Sequence, residues 1–359
     1  MHFGLTDEQQ LLQATLREYA AKELPPPRLR EIFETGDGFD ASLWQSAADV
    51  GVCGLVIPER FGGAGLELLD LALAFEVLGE AAMPGPFLGH ALAALALMHG
   101  GSDAQRERWL PQMASGEAIG SVALCDVDAG WAPERWALRE ADGLLHGIKQ
   151  HVEHAADAQL MLVGVAGGGL ALLEAGAGGV SITPTDGLDR TRHLSRMEFS
   201  GAAAELLPGG VEAAKRVRDA GCVLLAADAF GAAWKLIRMT VEYALTREQF
   251  GTPIAQFQSV KHQLANLAAD TEPMRGLFWY AGHAFDQLPA EVEHAAAVAK
   301  AHVTDRAVQV GRSAVELHGG IGFTWECDVQ FWVKRCMFDR TWLGLPREHR
   351  TRIADLGGW

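Results

Sequence analysis

The amino-acid sequence predicts an α+β protein in which a helical domain, a β-domain and a second helical domain follow one another. Three observations predict this order: a capped amphipathic pattern opens the chain, short apolar runs between glycine-rich turns fill its middle, and helical spacing returns towards its end. The length of 359 residues is enough for about two or three domains with ample core. We place the domains at residues 1–118, 119–209 and 210–359.

The first helical domain opens with an N-terminal capping signal. Thr6 and Gln9 have the spacing of a capping box, and the apolar positions that follow keep helical spacing until Pro25–Pro27 ends the helix. These apolar positions are Leu12, Leu16, Tyr19 and Ala20. Residues 54–81 join a glycine-rich turn to a strongly apolar helix that we expect to be buried, and residues 105–117 predict a short closing helix.

The middle of the chain predicts strands. Its apolar runs are short and glycine-rich turns separate them, which favours a β-domain over further helices. The runs are Ser121–Leu124, Leu160–Val165, Leu170–Leu173 and Val180–Ile182.

Helical spacing returns from Val211 to the C-terminus. The longest apolar stripe predicts a core helix and consists of Ala296, Ala299, Val303, Ala307, Val310, Ala314 and Leu317. An earlier helix ends near Thr246, because Gly251 and Pro253 stop the helical pattern. A second helix then runs back beside it, with apolar positions at Phe257, Val260, Leu264 and Leu267.

The corner between these two helices holds an arginine. The guanidinium of Arg247 has a fork of donors suited to a phosphate or pyrophosphate, with Phe250 as an apolar surface and Gln258 as a further donor. From spacing alone, a capped helical hairpin with a solvated charge explains the same residues.

Two segments of the second helical domain resemble the signatures of the acyl-CoA dehydrogenase flavoproteins. The first is YALTREQFGTPIAQFQSVKHQLA, which starts at Tyr243, and the second is LHGGIGFT, at Leu317–Thr324, in the family's order. Residues 188–199 and the helical passages of the first domain also resemble the family. The resemblance implies a helical N-terminal domain, a middle β-barrel or β-sandwich, and a C-terminal four-helix bundle that lies partly at a subunit interface.

The resemblance also implies FAD as cofactor. In the family, residues of both signatures bind the pyrophosphate and adenosine half of FAD across a subunit interface. By this resemblance the FAD-binding residues are Arg247, Phe250, Gln258, Gly319 and Gly320. Glu316 stands where many relatives carry a glutamine against FAD, which is a mild change.

The catalytic base of the family is missing from its usual positions. Members remove one hydrogen from each of two carbons next to a CoA thioester carbonyl: a carboxylate takes the α-proton while flavin N5 takes the β-hydride. Gap-free stepping from the second signature places Leu343 at the usual base position, and the alternative position, on the helix before the first signature, is Gly221. Neither accepts a proton. Cys222 replaces the arginine that usually meets CoA.

The β-domain departs from the family where the flavin ring is expected. Residues 125–130 (CDVDAG) replace a Thr-Glu-Pro and Gly-Ser-Asp stretch, and residues 147–154 (GIKQHVEH) replace a Gly-x-Lys followed by Trp-Ile-Thr-Asn. Glu153 therefore takes the position of a neutral threonine that faces N5. A carboxylate there opposes the negative charge of reduced flavin, so we expect it to disfavour two-electron reduction.

Two further groups of titratable residues have competing interpretations. Asp228 is either a relocated base or a structural helix acid in a cap or ion pair, and the structural role is favoured. His151, Glu153 and His154 have a spacing that does not place three metal ligands on one face of a strand. We expect surface polar residues there and no metal site.

Composition limits the partners and the compartment. The net charge of −16 and a pI near 5.2 argue against nucleic acid or an anionic membrane as partner. The five cysteines form no CxxC pair and one is left over, so neither a disulfide framework nor a zinc site is indicated. No apolar leader opens the sequence and no uncharged apolar segment is long enough to span a membrane, so we expect a soluble cytoplasmic protein.

The pattern of retained and replaced residues favours one function. Residues that serve the FAD of a neighbouring subunit are kept, whereas those for the chain's own base, flavin ring and CoA are replaced. The resemblance therefore favours the base-lacking subunit of a bacterial heteromeric acyl-CoA dehydrogenase, a group that includes enzymes for steroid and other bulky CoA esters. The alternatives are a self-sufficient dehydrogenase with an unusual base such as Asp228, and a non-redox scaffold. The expected partners are an acyl-CoA, a related subunit or a second copy in a dimer or tetramer, and an electron-transfer flavoprotein.

Overall fold

The computed structural model describes residues 4–36, 38–128 and 130–359, and the chain forms two compact units. The first unit consists of the described part of Met1–Arg30 together with Ala72–Met83 and Cys222–Trp359. The second consists of the described part of Glu31–Leu71 and of Pro84–Gly221. Helices, then strands, then helices follow one another along the chain, which confirms the predicted α+β class, while the limits 1–118, 119–209 and 210–359 stay predictions.

The first helical stretch begins with the predicted capping box. Thr6 Oγ1 accepts a hydrogen bond from the backbone N–H of Gln9, and the Gln9 side chain bonds back to the Thr6 N–H. The helices here are α1 (Asp7–Glu23), α2 (Pro26–Thr35), α3 (Ala41–Asp49), α4 (Leu68–Glu80), α5 (Phe87–Gly100) and α6 (Asp103–Ala114).

Sequence reasoning missed three of these helices, α2, α3 and α5. The run Pro25–Pro27 ends α1 as predicted, but Pro26 also opens α2, because proline is favoured in the first turn of a helix, where its missing N–H costs nothing. α3 is capped by Asp40, whose Oδ1 accepts from the backbone N–H of Ser42 at 2.9 Å. α5 is apolar on all sides and almost wholly buried, so it lacks the alternation that marks an amphipathic helix.

Two sheets form the predicted β-domain within the second unit. The first sheet has the order β1-β5-β6-β9 and the second β2-β4-β8-β7, with β3 also pairing with β4. The strands are β1 (Gly120–Ala123), β2 (Cys125–Asp126), β3 (Arg139–Ala141), β4 (Leu144–Glu153), β5 (Leu160–Gly164), β6 (Leu170–Glu174), β7 (Val180–Thr185), β8 (Leu194–Ala203) and β9 (Glu205–Leu206). The antiparallel pair β4 and β8 ends with Glu153 opposite Leu194, after a register shift between Lys149 and Val152. This register decides which side chains meet at the end of β4.

The C-terminal stretch is helical, as predicted. Its elements are α7 (Gly210–Thr246), β10 (Glu248–Gln249), β11 (Thr252–Pro253), α8 (Gln258–Thr271), α9 (Met274–Gln287), α10 (Val292–His318), α11 (Val329–Thr341) and α12 (Pro346–Leu356). The predicted stripe of α10 is buried except for Leu317, which is half-buried. The helix α7 is long and apolar enough to cross a membrane by length and composition, but 89% of its apolar window is buried inside the structure, as in the core helix of a globular protein.

Candidate functional site

The two signature segments meet through a pair of stacked rings. Tyr243 lies on α7, one turn before Arg247, and stacks on His318 with ring centroids 4.4 Å apart and an interplanar angle of 21°. His318 is the last residue of α10 and directly precedes Gly319. The stack therefore places the arginine corner and the glycine segment next to each other, although they are distant in sequence.

The corner itself has the predicted turn. The Ile254 N–H donates to the Arg247 carbonyl at 2.8 Å, and β10 and β11 pair across Phe250 and Gly251, whose φ angles are 55° and 78°. The predicted second helix is α8, which starts at Gln258 and has Phe257 as its N-cap instead of as a helical residue. A left-handed backbone at Phe250 is uncommon for a side chain of this size and holds its ring outward.

All six predicted cofactor-binding residues are exposed on this chain. They are Arg247, Phe250, Gln258, Glu316, Gly319 and Gly320. The Phe250 side chain is 95% exposed, and the guanidinium of Arg247 has no carboxylate or carbonyl partner among the described residues. A free guanidinium and a bare aromatic ring are available to a ligand or to another chain.

The glycine segment leaves room for a ligand to approach the backbone. Gly319 has φ 64° and ψ −144°, a region that is essentially restricted to glycine, and a Cβ added there or at Gly320 would meet nothing within 4 Å. Side chains at these two positions would project into the open space beside the corner.

The two base positions carry no titratable side chain and are buried. Leu343 is 3% exposed with φ 60°, and its carbonyl oxygen lies 3.0 Å from His349 Nε2. Gly221 is buried within α7, and Cys222 next to it is a buried free thiol. Neither position can therefore supply the proton acceptor.

Asp228, the less favoured candidate for the catalytic base, is held in a structural ion pair. Arg335 donates from Nε and Nη2 to the two carboxylate oxygens of Asp228 at 2.7 and 2.8 Å, and from Nη1 to the Met83 carbonyl at 3.1 Å. Both side chains are 1% exposed. Close helix packing explains this burial, since a Cβ on Gly79 would lie 2.0 Å from the Asp228 carbonyl oxygen. The favoured structural interpretation is the one that the contacts support.

Glu153 and His154 are not surface residues, which corrects the prediction for residues 147–154. Both side chains are 0% exposed, while His151 is exposed. Arg192 Nη1 lies 3.2 Å from Glu153 Oε1, and this guanidinium is itself 1% exposed. The charge of Glu153 is therefore offset by a buried partner, so its expected opposition to reduced flavin is weaker than sequence reasoning indicated. Arg192 was missed as that partner because only the fold brings it to the end of β4.

A third buried ion pair involves the other altered segment, residues 125–130, of which Ala129 is outside the described residues. Lys149 Nζ lies 2.5 Å from Asp126 Oδ1, with the two side chains 0% and 6% exposed. Burial lowers the pKa of Lys149 to about 8, while the hydrogen bond to Asp126 acts in the opposite direction. The ammonium also lies 5.0 Å from the centroid of the Trp136 ring. Sequence reasoning missed this pair as well.

A further buried cation lies in the first unit. Lys300 on α10 is fully buried, its Nζ donates to the backbone carbonyl of Asp339, and burial lowers its pKa to about 8. The sequence alone does not indicate that this lysine is buried.

Comparison with known proteins identifies the family. Two family profiles match the chain: "Acyl-CoA dehydrogenase, N-terminal domain" over residues 6–117 and "Acyl-CoA dehydrogenase, C-terminal domain" over residues 209–356. The protein described as acyl-CoA dehydrogenase IpdE2 from Mycobacterium tuberculosis is 33% identical over 351 residues, which are 97% of each chain. The chain belongs to the acyl-CoA dehydrogenase family.

Solved structures agree with this assignment. One described as a Tcur3481-Tcur3483 steroid ACAD variant superposes with a TM-score of 0.91 at 31% identity over 98% of both chains. The butyryl-CoA dehydrogenase of Megasphaera elsdenii has a TM-score of 0.88 at 24% identity over the full length of both chains and shows the same fold. The chain is therefore a family member of the oxidoreductase class that acts on acyl-CoA, and FAD is the cofactor of this class.

The described residues fit FAD in one place and not in another. The exposed Arg247, the open backbone at Gly319 and Gly320, and the bare ring of Phe250 fit the pyrophosphate and adenosine half of the cofactor. The segment expected at the flavin ring instead presents a buried Glu153 held by Arg192, with no neutral hydroxyl donor in that position.

Proposed function

We propose that this chain is the base-lacking subunit of a heteromeric acyl-CoA dehydrogenase, in which it completes the FAD site of a related subunit. One observation carries the proposal: an exposed, unpaired Arg247 is combined with buried leucine and glycine at Leu343 and Gly221. The exposed arginine suits the pyrophosphate of a dinucleotide. The leucine and the glycine leave no acid at the two positions where the family carries its catalytic base.

Each retained residue has a physical role in the shared site. The Arg247 guanidinium neutralises the pyrophosphate, and the Gly319 and Gly320 backbone admits it closely. The ring of Phe250 covers the cofactor and removes water from it. FAD, when bound, supplies the acceptor of the β-hydride. The α-proton of the thioester goes to a carboxylate of the related subunit, since neither Leu343 nor Gly221 has a side chain that binds a proton.

The half-buried apolar face of α8 supports assembly with another chain. Val260, Leu264 and Leu267 follow helical spacing but remain only partly covered in the single chain. A second subunit that packs on α8 beside the Arg247 corner buries this face and holds the cofactor between the chains.

The similar proteins support a substrate class. The solved structure at 31% identity is described as Tcur3481-Tcur3483, a name with two parts, and as a steroid acyl-CoA dehydrogenase (ACAD). We therefore propose a bulky, steroid-type CoA ester as substrate. We also propose an electron-transfer flavoprotein as electron acceptor and the cytoplasm as compartment.

The visible flavin spectrum tests this function. We expect the chain purified alone to be largely colourless, and its complex with a related subunit of the same organism to carry FAD that is bleached by an acyl-CoA. A Leu343→Met variant is the control. It changes the side chain at the predicted base position without adding an acid, so the complex that contains it should still be bleached by the acyl-CoA. A yellow, fully active homo-oligomer of this chain alone would overturn the proposal.

A further inference from the structure

Three side chains that sequence reasoning did not group come together at the end of the β4 and β8 pair. They are His154, Asp157 and His193, and one ligand atom from each lies within 4.8 Å of the other two. The antiparallel register explains the meeting of the histidines: Glu153 is opposite Leu194, and the His154 N–H donates to the His193 carbonyl at 2.8 Å. Asp157 joins them because the chain turns directly after β4, where its N–H donates to the His154 carbonyl at 3.1 Å.

The geometry points to a divalent metal site of the zinc class, and we propose that His154, Asp157 and His193 bind one such ion. His154 Nδ1 lies 3.1 Å from Asp157 Oδ2. Two ligands on a tetrahedral zinc ion, with bonds of about 2.0–2.1 Å, are separated by about 3.3 Å, so this pair already has the required spacing. Two imidazoles, one carboxylate and a water are a common open zinc set.

The central histidine is buried and has bonding capacity to spare. The His154 ring is 0% exposed, and its Nε2 is buried with no hydrogen-bond partner among the described residues. This nitrogen points away from Asp157, so the metal ligand is Nδ1, and Nε2 carries the ring proton when the ion is bound. His154 therefore offers Nδ1 to a cation without leaving the core.

The other two ligands remain accessible to an arriving ion. The Asp157 side chain is 25% exposed and His193 is half-buried. The His193 ring packs edge-on against the His154 ring, with centroids 6.1 Å apart. The Asp157 carboxylate offsets one of the two positive charges of the ion, and the neighbouring Arg192 is paired with Glu153.

A close-packed segment covers one side of this cluster. The Phe39 ring packs against His154 with centroids 6.1 Å apart in an edge geometry. Gly38 has φ 59°, and a Cβ there would lie 2.9 Å from the Arg190 carbonyl oxygen and 3.4 Å from His193 Cβ. An apolar cover of this kind limits water at the ion and strengthens its bonds to the protein.

Metal titration of the full, tag-free chain tests the proposal. After treatment with a chelator, the protein is titrated with Zn²⁺, the bound metal is counted by elemental analysis, and Co²⁺ is used as a visible probe of tetrahedral geometry. We expect one ion per chain and an intense tetrahedral Co²⁺ spectrum. Asp157→Asn should weaken binding about 10- to 100-fold, and His193→Ala by at least about 100-fold.

His151→Ala is the matched control, because His151 lies close in sequence but is exposed. It should leave the Zn²⁺ affinity and the Co²⁺ spectrum unchanged. Both ligand variants alter partly exposed side chains, and circular dichroism verifies that they fold. Less than one ion per chain in the wild type, or wild-type affinity in His193→Ala, would overturn the site. The measurement uses neither flavin nor acyl-CoA, so it is independent of the proposed dehydrogenase function.

Discussion

The arginine corner and the former catalytic positions of this chain differ in exposure and in what holds them. At the corner, Arg247 and Phe250 face solvent: Arg247 has no carboxylate or carbonyl partner among the described residues, and Phe250 contacts only the edge of the Phe257 ring there. Of the residues considered for catalysis and for the flavin ring, Leu343 is buried, and Asp228 and Glu153 are paired with buried arginines. The comparison teaches that the exposed corner is available to a ligand, whereas the buried polar residues are held by contacts within the fold.

The largest effect is expected at the buried Asp228 and Arg335 pair. Asp228→Asn leaves the Arg335 charge uncompensated in the interior, which should cost about 3–5 kcal/mol of unfolding free energy, measured by urea denaturation. Asp270→Asn, which removes the exposed ion pair with Arg306, is the matched control and should cost less than about 1 kcal/mol. Unchanged stability combined with lost flavin bleaching in the assembled enzyme would make Asp228 a base and end the distinction between the two regions.

A smaller effect, on binding and not on folding, is expected at the corner. Arg247→Ala removes charge-assisted hydrogen bonds to the pyrophosphate, so FAD affinity of the assembled enzyme should fall roughly 10- to 100-fold, or about 1.5–3 kcal/mol, while the melting temperature of the free chain stays the same. Arg139→Ala changes another exposed arginine and is the control. Equal FAD affinity in wild type and Arg247→Ala would remove the corner from the cofactor site.

Alanine variants at Gly319 and Gly320 separate the effect of backbone strain on stability from the effect of an added side chain on FAD binding. An alanine at Gly319 must adopt a backbone region that is essentially restricted to glycine, so Gly319→Ala should lose about 1–3 kcal/mol of stability, measured by thermal unfolding. Gly320→Ala, which also points into open space, should lose less stability but still weaken FAD binding. Equal stability losses would mean that the backbone at Gly319 relaxes.

The effect that is smallest per step of the experiment concerns pH and another buried polar residue. Burial lowers the pKa of His90 to about 4, and its ring accepts from the Gly120 N–H at 3.3 Å and lies 3.2 Å from the Cys53 carbonyl oxygen. The unfolded chain therefore binds the proton first, and stability should fall as the pH drops from about 6.5 towards 4, by about 1 kcal/mol per pH unit. His90→Gln should flatten this slope, whereas His146→Gln, at an exposed site, should not. An unchanged slope in His90→Gln would assign the acid sensitivity to other groups.

The parts of the corner that are continuous in sequence were predictable. The turn at Gly251 and the helix that follows it, α8, follow from local patterns of residues. Capping at Thr6 was equally local and is confirmed.

The parts that depend on long-range contacts were not. Glu153 was expected at the surface because a polar residue at the end of a strand is usually solvated. Its ion pair with Arg192 offsets the free-energy cost of burying the carboxylate. The ligand cluster of His154 and His193 depends on the register of β4 and β8, which the sequence does not reveal. Fully apolar α5 was missed because periodicity carries no signal where every face is buried.

The bare ring of Phe250, 95% exposed, has a consequence for how a cell must produce this polypeptide. If the chain assembles with a related subunit as proposed, copies made in excess keep this aromatic side chain in water, together with the half-covered helix beside it, and such surfaces attract chaperones and proteases. We therefore expect synthesis of the two polypeptides to be matched, and surplus copies of this one to have a short lifetime.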